Sequence, residues 1–277
     1  MSRNYKQYFI SAEEIWKKNL ENVKRFIDTN NQRPSSTSNN SEEKQLGCWI
    51  SSQKTHYQNN ERIMRNDEMR KMWEKFVTDD KYKKMSSETL HEHFKTNPNE
   101  WEEYHKVSEE NEKSFGGSSN IPVNVVIEYL KTKRNKKCKT IVDMGAGKNR
   151  LYTELHDNKK FKVIALDHVS NTKEVLCRNM KKTDIEDEEA DYVVFCLSLS
   201  WSKKEAVKYL EEAHRILDDQ GELIICESFG KWNKEKEIKG GEIVDILSPV
   251  LKEAGFKVSD EKIKEDGKFM YRVCKKY

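Results

Sequence analysis

Val142-Asp143-Met144-Gly145-Ala146-Gly147 is an apolar run that ends in a Gly-x-Gly turn and passes into a helix-like stretch, Arg150–His156. A strand that stops on two glycines lets the backbone come close to whatever lies beyond it. The helix that follows adds backbone N–H groups with no partner of their own. A second strand-like run, Lys162–Asp167, then ends on an acid, at the distance of roughly 20 residues where an acid meets ribose hydroxyls in nucleotide-binding folds. The third glycine of a dinucleotide fingerprint is missing. Alone, the glycines could make only a tight turn, and Asp167 could be a solvated strand end. The strand–turn–helix context favours a ligand site over both.

The rest of this region keeps the alternation going. Further strand-like runs are Glu174–Asn179, Asp191–Leu197 and Glu222–Glu227, and further helix-like runs are Lys203–Leu217 and Gly241–Ala254. Two last strands, Phe256–Asp260 and Lys268–Cys274, flank a polar turn holding Gly267. Alternating strands and helices predict a mostly parallel sheet covered on both faces, closed here by an antiparallel hairpin. The fold class is therefore α/β, a Rossmann-like seven-stranded sheet, preceded by a small all-α module.

That module reads as three amphipathic helices. Ser11 and Glu14 form a capping-box pattern ahead of Ile15, Trp16, Leu20, Val23 and Ile27. The polar stretch Asn30–Asn40 is a loop. Leu46, Trp49, Ile50 and Tyr57 mark a second helix, and Met69, Met72, Trp73 and Phe76 a third. Residues 1–85 are assigned to the helical module and 86–277 to the α/β domain. The latter opens with two more helices, Ser86–Phe94 and Asn97–Lys113, the second with Asn97 as N-cap and Pro98 in its first turn. His91 and His93 read as solvated helix residues. A Gly/Ser-rich loop, Phe115–Asn120, leads to a helix opened by Pro122.

Composition excludes more than it selects. The net charge of +3 is too small to argue for nucleic acid by itself, although its basic bias sits at the N-terminal end. The six cysteines form no CxxC pair and have no histidine at finger spacing, which argues against a metal site. With no long apolar stretch and no signal-peptide pattern, the expectation is a soluble intracellular protein without a membrane segment. The oligomeric state is not legible.

From about Phe94 to Cys274 the chain resembles the ribosomal RNA-processing protein 8 family, the nucleomethylin-like methyltransferases. The resemblance is carried by NPNEWEEYH (97–105), DMGAGKNRL (143–151), Asn179–Met180, IEDEEADYVVFCLSL (185–199), LEEAHRIL (210–217) and the closing hairpin. It implies an S-adenosylmethionine-dependent enzyme that methylates N1 of an adenine in large-subunit ribosomal RNA. Cofactor contacts would fall on His105, Gly145, Asp167, Asn179, Met180 and Cys196, with Gly147 completing the turn. The carboxyl end of the fourth strand lies at the crevice of such a sheet. Ser198 and Trp201 are therefore candidate substrate contacts, Trp201 by stacking on an extruded base. No Asp/Asn-Pro-Pro-Tyr sequence is present there to mark an amino-group methyltransferase. Two departures stand out. Asn179 replaces the family's Asp, and Lys148 stands where the family has an acid. Asn179 can still accept a hydrogen bond through its carbonyl but carries no charge.

The N-terminal segment resembles the helicase-associated domain through Trp16, Phe26, Arg33-Pro34-Ser35, Leu46-Gly47-Cys48-Trp49-Ile50, Gln53-Lys54 and Tyr57. That resemblance implies a nucleic-acid-binding module, RNA being favoured over DNA. Lys44, Lys54, Arg62 and Arg65 would meet phosphates while the tryptophans form the core. The basic runs Lys131–Lys139 and Lys231–Lys239 could steer RNA. Two other readings stay open: a non-catalytic nucleic-acid-binding protein that keeps the fold, and a methyltransferase of a protein or small molecule.

Overall fold

A computed structural model describes residues 11–30, 32–83, 85–134, 137–199, 204–235, 243–264 and 267–277. The chain divides into two compact units, Met1–Lys81 and Tyr82–Tyr277.

The first unit holds α1 (Ala12–Asn30), α2 (Ser41–Asn59) and α3 (Asp67–Lys83), with a short 3-10 turn at Arg62–Arg65. The capping box closes in both directions. Glu14 N–H donates to Ser11 Oγ at 3.1 Å, and Ser11 N–H donates to the Glu14 carboxylate at 2.8 Å. Trp16, Leu20, Val23, Ile50, Met64, Met69, Trp73 and Phe76 form one apolar cluster. The buried Trp16 indole donates to Gln53 Oε1 at 2.9 Å, so its polar atom keeps a partner on burial.

The second unit opens with α4 (Ser87–Thr96), α5 (Pro98–Glu112) and α6 (Pro122–Thr132). Asn97 stands directly before α5 as expected, but its side chain does not cap that helix. Its amide donates back to His93 O at 2.9 Å and closes the end of α4. His91 and His93 are half-buried and hydrogen-bonded, not freely solvated. His93 Nε2 meets Glu100 at 2.9 Å, and His91 Nδ1 lies 3.2 Å from His168 Nδ1.

The remaining elements are β1 (Lys139–Met144), α7 (Arg150–Leu155), β2 (Phe161–Asp167), β3 (Val175–Cys177), β4 (Ala190–Cys196), α8 (Ala206–Ile216), β5 (Leu217–Ser228), α9 (Phe229–Trp232), β6 (Asn233–Glu235), β7 (Ile243–Asp245), α10 (Leu247–Glu253), β8 (Phe256–Val258) and β9 (Phe269–Lys276). Seven strands make one sheet in the order β3-β2-β1-β4-β5-β9-β8, and β6 pairs with β7 apart from it. β1 to β5 are parallel, with Val142 beside Ile164 and Val193, and β9 runs antiparallel between β5 and β8. The strand order reverses between β1 and β4, and there a crevice opens beyond the carboxyl ends.

The period of two along each strand sorts the core into two layers. Val142, Met144, Val193, Phe195, Leu223 and Ile225 pack against α8 and α10. Ile141, Val194, Ile224 and Cys226 pack against α6 and α7. The helix expected over 241–254 is shorter than predicted. Ile243 and Val244 are β-branched and form β7. The Asp245 carboxylate then accepts the N–H groups of Leu247 (2.8 Å) and Ser248 (3.2 Å), which starts α10 only there.

Candidate functional site

The glycine turn is built by close approach. Gly145 and Gly147 have φ of 85° and 54°. A Cβ on Gly145 would sit 2.5 Å from Ser198 Cβ, and one on Gly147 would sit 2.8 Å from His105 Cε1. Neither position admits another residue without displacing a neighbour. The N–H groups of Gly145 and Ala146 both donate to Leu166 O, which ties the turn to β2. Gly147 N–H donates to Asp167 Oδ2 at 2.8 Å, and the Trp101 indole donates to Oδ1 at 2.9 Å. Asp167 is 7% exposed, so it is a held carboxylate and not a solvated strand end.

Around this turn lies a cavity of about 200 Å³. His105, Gly145, Gly147, Asp167, Met180, Cys196 and Ser198 all line it. Asn179 is not on its wall. Its carbonyl accepts Ser87 Oγ at 2.8 Å and Lys181 N–H at 3.0 Å. Trp201 lies outside the described residues. The Ser198 hydroxyl is committed to Met144 O at 2.5 Å, so it braces β1 against β4. A hydrogen bond with Cys226, together with burial, pushes the Cys196 thiol well up, and Cys196 is a neutral wall residue. Burial favours the neutral form of His105, against the pull of the Asp167 charge. Lys148 adds little positive charge to the cleft, because its ammonium pairs with Glu102 and sits 5.5 Å from the Trp101 ring.

The sequence reading missed several cleft residues. In the sequence Asp143 reads only as part of the strand. It is fully buried, and desolvation, followed by the Asp167 charge, pushes its carboxyl up to about 7. Trp101, Glu109, Glu112 and Arg150 also line the cleft. The first three share a face of α5 with His105. His168, directly after Asp167, lies on the wall against His91. In the first basic run, Lys131 pairs with Glu128, Lys133 with Glu222 and Glu261, and Lys139 with Asp191. These lysines are largely neutralised. The second run falls mostly outside the described residues.

The cleft suits a nucleoside that carries positive charge. Two glycines remove side chains where the backbone must meet a ligand, and Asp167 offers carboxylate oxygens at the end of β2. Asp167, Glu109 and Glu112 outnumber Lys148 and Arg150 on the wall. Among the described residues no group of three His, Cys, Asp or Glu side chains could hold a metal, and no helix is long and apolar enough to cross a membrane.

The sequence pattern that defines a family described as hypothetical methyltransferase matches residues 61–277. The segment resembling the helicase-associated domain, 16–57, precedes that match. The chain is 31% identical over 136 residues to ribosomal RNA-processing protein 8 of Arabidopsis thaliana, covering 49% of this chain and 44% of that protein. It is 27% identical over 164 residues to a Schizosaccharomyces pombe protein named 25S rRNA (adenine(645)-N(1))-methyltransferase, covering 57% of this chain and 49% of that one. The chain thus spans less than half the length of these curated relatives. Among solved structures, a TehB-like SAM-dependent methyltransferase from Corynebacterium glutamicum shares 17% identity at a TM-score of 0.48, covering 65% of this chain and 100% of that one.

Proposed function

The chain belongs to the hypothetical methyltransferase family, and from that premise we propose that it is an S-adenosylmethionine-dependent methyltransferase of a nucleic-acid base, N1 of an adenine in ribosomal RNA. The observation that carries the reading is the turn Gly145–Gly147 locked to the Asp167 carboxylate at the switch point of the sheet. When bound, S-adenosylmethionine supplies a methyl group on a positively charged sulfur. The protein's part is to bind, orient and exclude water. Asp167, already fixed by Trp101 and Gly147, would offer its remaining lone pairs to ribose hydroxyls. Met180, Cys196 and Leu197 give apolar wall, and the buried Asp143 carboxylate favours a cation nearby. A ring nitrogen of adenine carries its own lone pair, so methyl transfer to it would ask no strong base of the protein. The adenine target is supported by the names of the relatives. The helical unit is assigned to nucleic-acid binding on its resemblance.

One observation favours a second reading, a nucleic-acid-binding protein that has lost catalysis. The Asn179 carbonyl is already shared by Ser87 and Lys181 N–H. Calorimetric titration with S-adenosylmethionine, followed by labelled methyl transfer to RNA, DNA and protein separately, divides the readings. The leading one expects micromolar binding, lost in Asp167→Ala, and label in RNA. Binding with label only in DNA or protein would sink the RNA assignment. No binding at all would leave the second reading in front.

A further inference from the structure

The segment that follows β4 carries a strained residue on the cleft wall. Leu197 has φ of 59°, and among the described residues it is the one apolar side chain with a positive φ. A residue with a Cβ is disfavoured there and stays only where its surroundings hold it. Leu197 nonetheless keeps a large side chain at this point, 36% exposed and on the wall of the cleft.

Three hydrogen bonds hold the segment. Leu197 N–H donates to Cys226 O at 2.8 Å, and the Ser198 hydroxyl donates to Met144 O. Both acceptors are main-chain carbonyls that the sheet places in any case. The third acceptor is a side chain. Leu199 N–H donates to Glu227 Oε1 at 2.8 Å. Glu227 stands near the carboxyl end of β5, is 0% exposed, and takes the Trp232 indole on Oε2 at 3.4 Å. A buried carboxylate is costly, and N–H donors fixed upon it are what offset the cost. Nothing in the transfer described above uses Glu227.

We propose that Glu227 is a positioning residue for methyl transfer. Through Leu199 N–H it fixes residues 197–199, so that Leu197 walls the crevice at the carboxyl end of β4 where the acceptor base enters. The inference rests on the methyltransferase reading above and adds to it a residue outside the cleft.

The test compares the full chain with Glu227→Gln and Glu227→Ala. Glutamine keeps an acceptor for Leu199 N–H, and alanine does not. In Glu227→Ala, kcat for transfer to RNA should fall about 100-fold while S-adenosylhomocysteine affinity stays within about threefold. Hydrogen exchange at the Leu199 amide should quicken at least about tenfold. Glu227→Gln should recover most of both. Leu197→Gly supplies an independent arm, because glycine adopts this φ without strain and removes the side chain being placed. In that background Glu227→Ala should cost kcat little more. Unchanged exchange at Leu199, a parallel fall of kcat and S-adenosylhomocysteine affinity, equal damage in Gln and Ala, or fully additive losses with Leu197→Gly each overturn the assignment. If the wild type transfers no methyl group to any acceptor, the methyltransferase reading fails and the positioning role falls with it. The exchange arm then still decides whether Glu227 holds the segment.

Discussion

Asp143 shows how one residue couples the site to stability. Buried beneath the glycine turn and facing Asp167, its carboxyl is pushed up from 3.8 to about 7. A raised folded-state value means that the native chain holds this proton more tightly than the unfolded chain does. The favourable contribution is complete below 3.8 and is lost as the pH rises toward about 7. Asp143→Asn removes the penalty. Its melting temperature should therefore exceed that of the wild type by more at pH 8 than at pH 5, and the excess should shrink when the cationic cofactor is present. An equal gain at both pH values would show that Asp143 is not charged at pH 8. The glycines and Asp167 were legible because a positive φ and a strand-end acid leave their mark on residue type. Asp143, Trp101 and Arg150 were not, because their roles arise from contacts across the fold. Asp167 and Trp101 are 66 residues apart in the chain.

At the scale of elements, strand and helix types followed the pattern, and boundaries moved where side chains intervened. The LEEAHRIL stretch shows why one helix can carry so much family resemblance. Tyr209, Leu210, Ala213 and Ile216 bury one face of α8 in the core. Glu212 accepts the N–H (2.8 Å) and hydroxyl (2.6 Å) of Thr183, and Arg215 holds Glu212 and reaches Ile185 O at 2.8 Å. This pair fastens the segment between β3 and β4 onto α8. Burial opposes the Glu212 charge, but the hydrogen bonds from Arg215 and Thr183 outweigh it and lower the carboxyl below 4.5. Glu212→Ala should cost about 2 kcal/mol in urea unfolding at pH 7, the cost of buried donors left unmatched. Because the folded value is lowered, the contribution is present above 4.5 and is lost as the pH falls through the lower folded value. The gap between wild type and variant should therefore close in acid. A gap that persists unchanged below that window would mean packing, not charge, is what Glu212 supplies.

For the whole molecule, the sequence showed where composition changes but not what the first unit does. Its three helices bury Trp16 and Trp73 and half-bury Trp49. Trp16 and Trp73 are therefore spent on the core and are not free to stack on bases. If the unit holds nucleic acid, its exposed cations must do so. Lys44, Lys54 and Arg62 are all exposed, so reversing their charge leaves the core intact. Each phosphate contact on a single strand adds about 0.7 to the slope of log affinity against log salt. The variant Lys44→Glu/Lys54→Glu/Arg62→Glu should bind single-stranded RNA at least about tenfold more weakly and lose about two units of slope. Its affinity for S-adenosylhomocysteine should not change, because none of the three residues lies on the cleft. Unchanged RNA affinity and slope would remove the helical unit from substrate binding. Recognition would then fall to the α/β unit, where Lys133 and Lys139 of the first basic run are paired with acids while Arg134 and Lys137 are exposed.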